Sequence, residues 1–285
     1  LNMDYYGGDF AGIQQKLPYL RDLGVTCIYL NPIFEAHANH RYNTADYLKA
    51  DPLLGTNEEF SALCLAAARE GIRIILDGVF THTGSDSRYF NRECRYGPGG
   101  AYRDRNSPYR SWYDFDSGYP CGYRSWWGFA TLPEVQEDSP SYVDFICGKG
   151  GVIDTWLNLG ASGFRLDVAD ELPDDFIEKI RTAVKSHGDD KLLLGEVWED
   201  ATTKEAFGQR RTYLRGRGLD AVMNYPFRNA ALDYLHGGDV AAVADALMQI
   251  CENYPASALD CAMNFLSTHD TERALTVIAD EPANG

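Results

Sequence analysis

The 285 residues carry 42 acidic and 26 basic side chains, a formal net charge of −16, which argues against nucleic acid or an anionic membrane surface as partner. Hydrophobic residues make up 45% of the chain, enough for the core of one α/β barrel or of two smaller domains, and no apolar run approaches the length of a membrane span. Seven cysteines, an odd number with no CxxC pair, read as free thiols in a reducing, cytoplasmic compartment, while the abrupt opening at Leu1-Asn2-Met3 leaves a signal peptide out of view.

In chain order, "DFAGIQQKLPYLRDLG" has helical periodicity and stops at Gly24, and "VTCIYL" (25–30) follows as a short apolar strand. "TNEEFSALCLAAAREG" opens with Thr56 and Glu59 at capping-box spacing and ends at Gly71. "IRIILDGVF" (72–80) is a strand. Residues 83–136, rich in Gly, Pro, Tyr, Arg and Asp, have little periodicity and read as a functional loop or small subdomain. "GFRLDVADEL" (163–172), its charges aside, reads as a buried strand and 173–187 as a helix starting at Pro173. "KLLLGEVW" (191–198) is a strand and "AVMNYPF" (221–227) a strand end. A long helical stretch runs from Arg228 to Cys251, and "AMNFLSTHD" (262–270) is a strand with a polar end. Strands alternating with helices predict a parallel sheet covered by helices.

Four of these strands finish in charged or polar clusters: Asp77 to His82, Arg165 with Asp167, Glu196 with Trp198, and His269-Asp270. In "GFRLDVAD" the apolar Phe164, Leu166 and Val168 alternate with Arg165 and Asp167, so two charges sit in a run that otherwise reads as buried. In a parallel barrel the strand C-termini converge on one face, so the clusters are expected to share one pocket. Carboxylates gathered there suit acid/base or nucleophilic chemistry. Neither a GxxxxGK[ST] loop nor a GxGxxG turn is present to cradle phosphate. Arg165 beside Asp167 would repel a cation, which disfavours metal catalysis.

"DGVFTH", "GFRLDVAD", "GEVW" and "FLSTHD" resemble, in order and spacing, conserved segments of glycoside hydrolase family 13, the α-amylase family. "YYGGDFAGI", "LGVTCIYLNPIF" and "HRYNTADY" are similar to its neopullulanase and cyclomaltodextrinase-type branch, and the resemblance covers nearly the whole chain. It implies a (β/α)8 TIM barrel with a small subdomain inserted after the third strand. The divisions are 1–82, first part of the barrel; 83–136, subdomain; and 137–285, remainder. Asp167 matches the nucleophile, Glu196 the general acid/base and Asp270 the third carboxylate, which binds the distorted sugar. Arg165 matches the arginine that hydrogen-bonds the nucleophile, and Asp77 a carboxylate near that arginine. His82 and His269 match sugar-hydroxyl binders, and Tyr42 the aromatic platform beneath the attacked ring.

The implied chemistry is retaining cleavage of α-1,4, and as an extension α-1,6, glucosidic linkages in maltodextrin, cyclodextrin, pullulan or other starch-derived glucans. Such enzymes hold nucleophile and acid about 5–5.5 Å apart. Arg165 is expected to keep Asp167 ionised, and an apolar wall with neighbouring negative charge to keep Glu196 protonated. Trp198, two residues on, can supply part of that wall; an ordinary core tryptophan is the competing reading. In "SWWGFATLP", Trp126 and Trp127 stand between lining donor subsites and packing inside the subdomain. The sequence departs from the family at Thr81 and Gln136, where asparagines commonly help bind a structural calcium, so calcium is disfavoured and no cofactor is expected.

By the same resemblance the first barrel strand precedes Leu1 and the eighth follows Gly285, leaving strands two to seven. The expected consequences are an open sheet, weak or absent activity of this chain alone, and edges through which homo-oligomers can form. The competing function is a non-catalytic sugar-binding or regulatory protein on the same fold. All three carboxylates stand against it, since a retired enzyme is free to lose Asp167 or Glu196.

Overall fold

The computed structural model describes residues 4–279. They divide into two compact units, one running to Asp167 and resuming over Asp175–Leu193, the other comprising Val168–Asp174 and the chain from Leu194 onward.

In the first unit α1 (Phe10–Asp22) starts where the Asp9 carboxylate accepts the Gly12 N–H at 2.6 Å. It is followed by β1 (Cys27–Leu30), an antiparallel pair β2 (Phe34–Ala36) and β3 (Thr44–Ala50), α2 (Asn57–Arg69) and β4 (Arg73–Gly78). The expected capping box opens α2: Thr56 and Glu59 exchange hydrogen bonds, and Phe60, Leu63, Cys64 and Ala67 form the buried stripe. Helices α3 (Pro140–Cys147) and α4 (Val152–Asn158) lead to β5 (Gly163–Leu166), then α5 (Asp174–Lys185) and the first half of β6 (Leu192–Gly195). Strand β4 pairs in parallel with both β1 and β5. Leu192 of β6 donates to Ser162 O at 2.9 Å, and a Cβ on Gly163 would fall 2.0 Å from Leu192 O. Only glycine lets β5 start there. Trp156 of α4, fully buried, donates its indole N–H to Tyr47 O at 2.7 Å and packs on Phe34 and Phe60, tying α4 to β3 and α2.

Residues 83–136 contain two 3₁₀ turns, 110–112 and 126–128, and short bridges that return 133–135 to Thr81, His82 and Tyr113. An aromatic cluster of Tyr89, Phe90, Trp112, Tyr113 and Tyr123 supplies the core that regular structure does not.

In the second unit the end of β6 pairs in parallel with β9 (Ala221–Val222), after a small hairpin of β7 (Glu205–Ala206) and β8 (Gln209–Arg210). Helices α6 (Tyr225–Leu235), α7 (Val240–Asn253), α8 (Ala256–Asp260) and α9 (Ala274–Ile278) complete it. Buried Arg211 closes the 168–174 segment, pairing with Asp174 at 2.8 Å and donating to Asp170 O and Leu172 O.

Several expectations are corrected. The strand expected over 163–172 ends at Leu166, where Val168 turns left-handed, that over 191–198 ends at Gly195, and residues 225–227, expected to end a strand, open α6. The helix expected over 228–251 is two helices, because His236 to Asp239, with Gly237 at φ 86°, ends α6 and caps α7 through Asp239. The strand expected over 262–270 is reduced to a single parallel bridge, Met223 to Met263, before the chain turns. The parallel pairings otherwise follow the expected order of barrel strands. Among the described residues β1 pairs with β4 on one side only, so its sheet keeps an open edge, as expected for an incomplete barrel. No helix among them is long and apolar enough to cross a membrane. All seven cysteines are free thiols.

Candidate active site

In the first unit the parallel register sets Asp77 of β4 directly beside Arg165 of β5. One guanidinium nitrogen of Arg165 donates to Asp77 Oδ1 and to Asp167 Oδ1, each at 2.7 Å. The side chains of Arg165 and Asp77 are fully buried and that of Asp167 is 10% exposed. One positive and two negative charges thus share a dry site. The second Asp77 oxygen takes hydroxyl donors from Tyr29 at 2.5 Å and Tyr42 at 2.8 Å. Burial first, and the Asp77 charge second, push both phenols well above their usual range, so both remain protonated donors. Sequence reasoning missed Tyr29. Its signal was register: Tyr29 pairs with Ile75, two residues before Asp77, and therefore shares the face of that carboxylate.

His82 is 2% exposed. Its Nε2 lies 3.0 Å from Tyr42 O, which can only accept, so Nε2 carries the proton and Nδ1 accepts the Thr81 hydroxyl at 2.9 Å. Both ring nitrogens therefore bond protein groups in this conformation, and the ring of Trp126 lies 5.4 Å away. Burial lowers the His82 pKa to about 4. With the folded value below the unfolded 6.5, the neutral ring contributes stability that is complete above about pH 6.5 and lost as pH falls towards 4, by up to about 3 kcal/mol. Urea unfolding at pH 7 and pH 4.5 checks this. His82→Gln should lose less stability on acidification than the native protein, and an equal loss would contradict the assignment.

In the second unit Glu196 follows β6 immediately and is 3% exposed. Its Oε2 accepts the Val168 backbone N–H at 2.8 Å and its Oε1 the Trp198 indole N–H at 3.0 Å, so both oxygens are oriented. Val168 holds its N–H there from a left-handed conformation, φ 39° and ψ 53°. For a β-branched residue this costs about 1–3 kcal/mol, a strain that concentrates at functional sites. Trp198 is 43% exposed and stacks on Tyr225, rings 4.1 Å apart at 16°. It is no core tryptophan, and it meets Glu196 through its N–H rather than as an apolar wall. His269 Nε2 lies 3.2 Å from Asp270 Oδ2 in a turn fixed by Thr268 and Thr271.

The predicted residues fall as follows. Tyr42, Asp77, Arg165 and Asp167 join in one hydrogen-bonded array of the first unit, with His82 attached through Tyr42 O. Glu196 joins Trp198, and His269 joins Asp270, in the second. At the two positions weighed for calcium, the Thr81 hydroxyl donates to His82 Nδ1 and the Gln136 amide nitrogen donates to Ser111 O at 3.2 Å.

Parallel strands that end in carboxylates, interleaved with helices, define an α/β catalytic domain of the barrel type. The sequence model described as "Alpha amylase, catalytic domain" matches residues 2–284, and the chain belongs to the α-amylase family. It is 39% identical to an amylopullulanase of Thermoanaerobacterium saccharolyticum over 99% of this chain and 24% of that protein. A cyclomaltodextrinase of Geobacillus thermopakistaniensis is 36% identical, over 96% of this chain and 45% of its own length. Among solved structures, the cyclic α-maltosyl-(1→6)-maltose hydrolase of Arthrobacter globiformis in complex with that sugar superposes with a TM-score of 0.86 at 32% identity, over 98% of this chain and 60% of the other. The chain thus spans less than half the length of these two curated relatives.

Proposed function

We propose that the protein is a retaining α-glucan hydrolase acting on α-1,4 linkages, and on α-1,6 linkages where the substrate presents them. The observation that carries this reading is the buried Asp77–Arg165–Asp167 array at the ends of adjacent strands. One fully buried guanidinium nitrogen is shared by two carboxylates, and Asp167, the partially exposed one, lies at the end of the strand and is matched by resemblance to the family's nucleophile. The relatives named above act on related sugars according to their names, which supports the substrate class.

In this reading Asp167 attacks the anomeric carbon as Glu196 gives its proton to the departing glycosidic oxygen. The C1–O bond breaks and an ester forms between C1 and Asp167. Water, deprotonated by Glu196, then attacks C1, releases Asp167 and restores the starting anomer. A sugar hydroxyl in place of that water gives transglycosylation. Arg165 positions Asp167 and balances its charge. Tyr42, His269 and Asp270 hold the sugar, His82 joins them by exchanging its Nε2 bond to Tyr42 O for a sugar hydroxyl, and Trp198 orients Glu196. No calcium enters this scheme.

Glu196→Gln is expected to lower turnover of maltodextrin by about 10²–10⁴-fold. The loss should be far smaller on an α-glucosyl fluoride, whose leaving group needs no proton. Steady-state kinetics on both substrates checks this, and equal losses would remove Glu196 from the acid role. Product analysis on maltodextrin, cyclodextrin and pullulan, run on this chain and on a chain extended to the length of its relatives, tests the substrate class; failure of both to cleave any of the three would refute it.

A further inference from the structure

Residues 124–134 form a tight hairpin of the first unit: Trp126 N–H donates to Leu132 O at 2.9 Å and Glu134 N–H to Arg124 O at 3.1 Å. Three aromatic rings lie nearly parallel at its tip. Trp126 and Trp127 are 5.2 Å apart at 18°, and Trp126 and Phe129 6.2 Å apart at 27°. Trp127 is 77% exposed and Phe129 55%. Trp127 also sits at φ 49°, ψ 24°, in the left-handed region where glycine is at ease and a bulky side chain is not. Exposure of a large apolar surface and backbone strain both disfavour tryptophan here, and a requirement of the fold alone would be met by glycine.

A flat, uncharged tier of this kind matches the C–H face of a pyranose ring. The Arg124–Glu134 ion pair at 2.6 Å, on the same hairpin, offers hydrogen bonds to ring hydroxyls. The net charge of −16 disfavours an anionic ligand. Through Trp126 the tier continues from His82, one of the residues proposed to hold the sugar. We propose that Trp126, Trp127 and Phe129 form a platform that binds α-glucan rings remote from the scissile bond. The platform gives long chains an affinity that short ones lack. The inference rests on the α-glucan reading above and adds a second place of contact to it.

The test compares maltoheptaose with maltotriose by calorimetric titration on the native protein, Trp127→Gly and Trp127→Tyr, with Tm recorded for each. Trp127→Gly should weaken maltoheptaose roughly 5–30-fold, the loss typical of removing an aromatic anchor, and maltotriose by a much smaller factor. Its Tm should not fall, because glycine relieves the strained φ, and Trp127→Tyr should retain most of the affinity. Unchanged maltoheptaose affinity in Trp127→Gly, or equal losses on the two sugars, would overturn the platform while leaving hydrolysis standing. So would an effect confined to self-association. Binding of maltoheptaose in this chain-length pattern, with no cleavage by this chain or by one extended to the length of its relatives, would refute the hydrolase reading and leave the platform intact. A native protein that binds neither sugar would overturn both.

Discussion

Asp167→Asn is expected to abolish turnover on every α-glucan, by at least about a hundredfold, with the fold unchanged. Asparagine has nearly the same shape, and its amide oxygen can still accept from Arg165. The substitution also takes the net charge of the Asp77–Arg165–Asp167 array from −1 to zero, which relieves the buried site rather than straining it. What is lost is the anionic oxygen that attacks C1. A good leaving group does not restore the rate, in contrast to Glu196→Gln, because bond formation to the enzyme is needed whatever departs. Steady-state kinetics with circular dichroism as a fold control checks this. A variant that kept more than about a hundredth of the rate would show that Asp167 is not the nucleophile.

Arg165→Met should have the largest effect on stability. It leaves Asp77 and Asp167 buried beside each other with no counter-charge from Arg165, and breaking a buried pair in this way typically costs about 3–5 kcal/mol. At about 2–4 °C per kcal/mol, the expected fall in Tm is roughly 6–20 °C. Adding Asp77→Asn to Arg165→Met should recover part of it, because one buried carboxylate instead of two then lacks the Arg165 charge. Tyr29 and Tyr42 keep partners for their hydroxyls in that double variant through the amide oxygen. Thermal unfolding of the native protein, the single and the double variant measures both effects. A single variant within about 2 °C of native, or a double variant worse than the single, would show that the array is not held together by charge.

Local chemistry was the part of the fold most legible in the sequence. Thr56 and Glu59 announced the start of α2, and the alternation in "GFRLDVAD" placed Arg165 and Asp167 together, because spacing along a strand fixes the face. What required the structure was set by neighbours distant in the chain. Tyr29 joins Asp77 only through the register of β1 on β4. The strand expected at 262–270 shrinks to Met263, since an extended run becomes a strand only as far as a partner lies beside it. The break after α6 was written in Gly237-Gly238, a signal outweighed by the apolar periodicity on either side. The left-handed φ values of Val168 and Trp127 have no local signature, because neither residue type favours that region. Trp198 illustrates a subtler limit: its position near Glu196 was readable, but its role as an N–H donor depends on which edge of the indole faces the carboxylate.

The most direct test of the account is capture of the covalent intermediate. Glu196→Gln slows the second half of the cycle, for which water must be deprotonated, while an α-maltosyl fluoride still permits the first. Intact-mass analysis after mixing the two should show one added maltosyl group per chain, and peptide mapping should place it on Asp167. An adduct on another carboxylate with Asp167 unmodified, or no adduct either on this chain or on one extended to the length of its relatives, would contradict the mechanism.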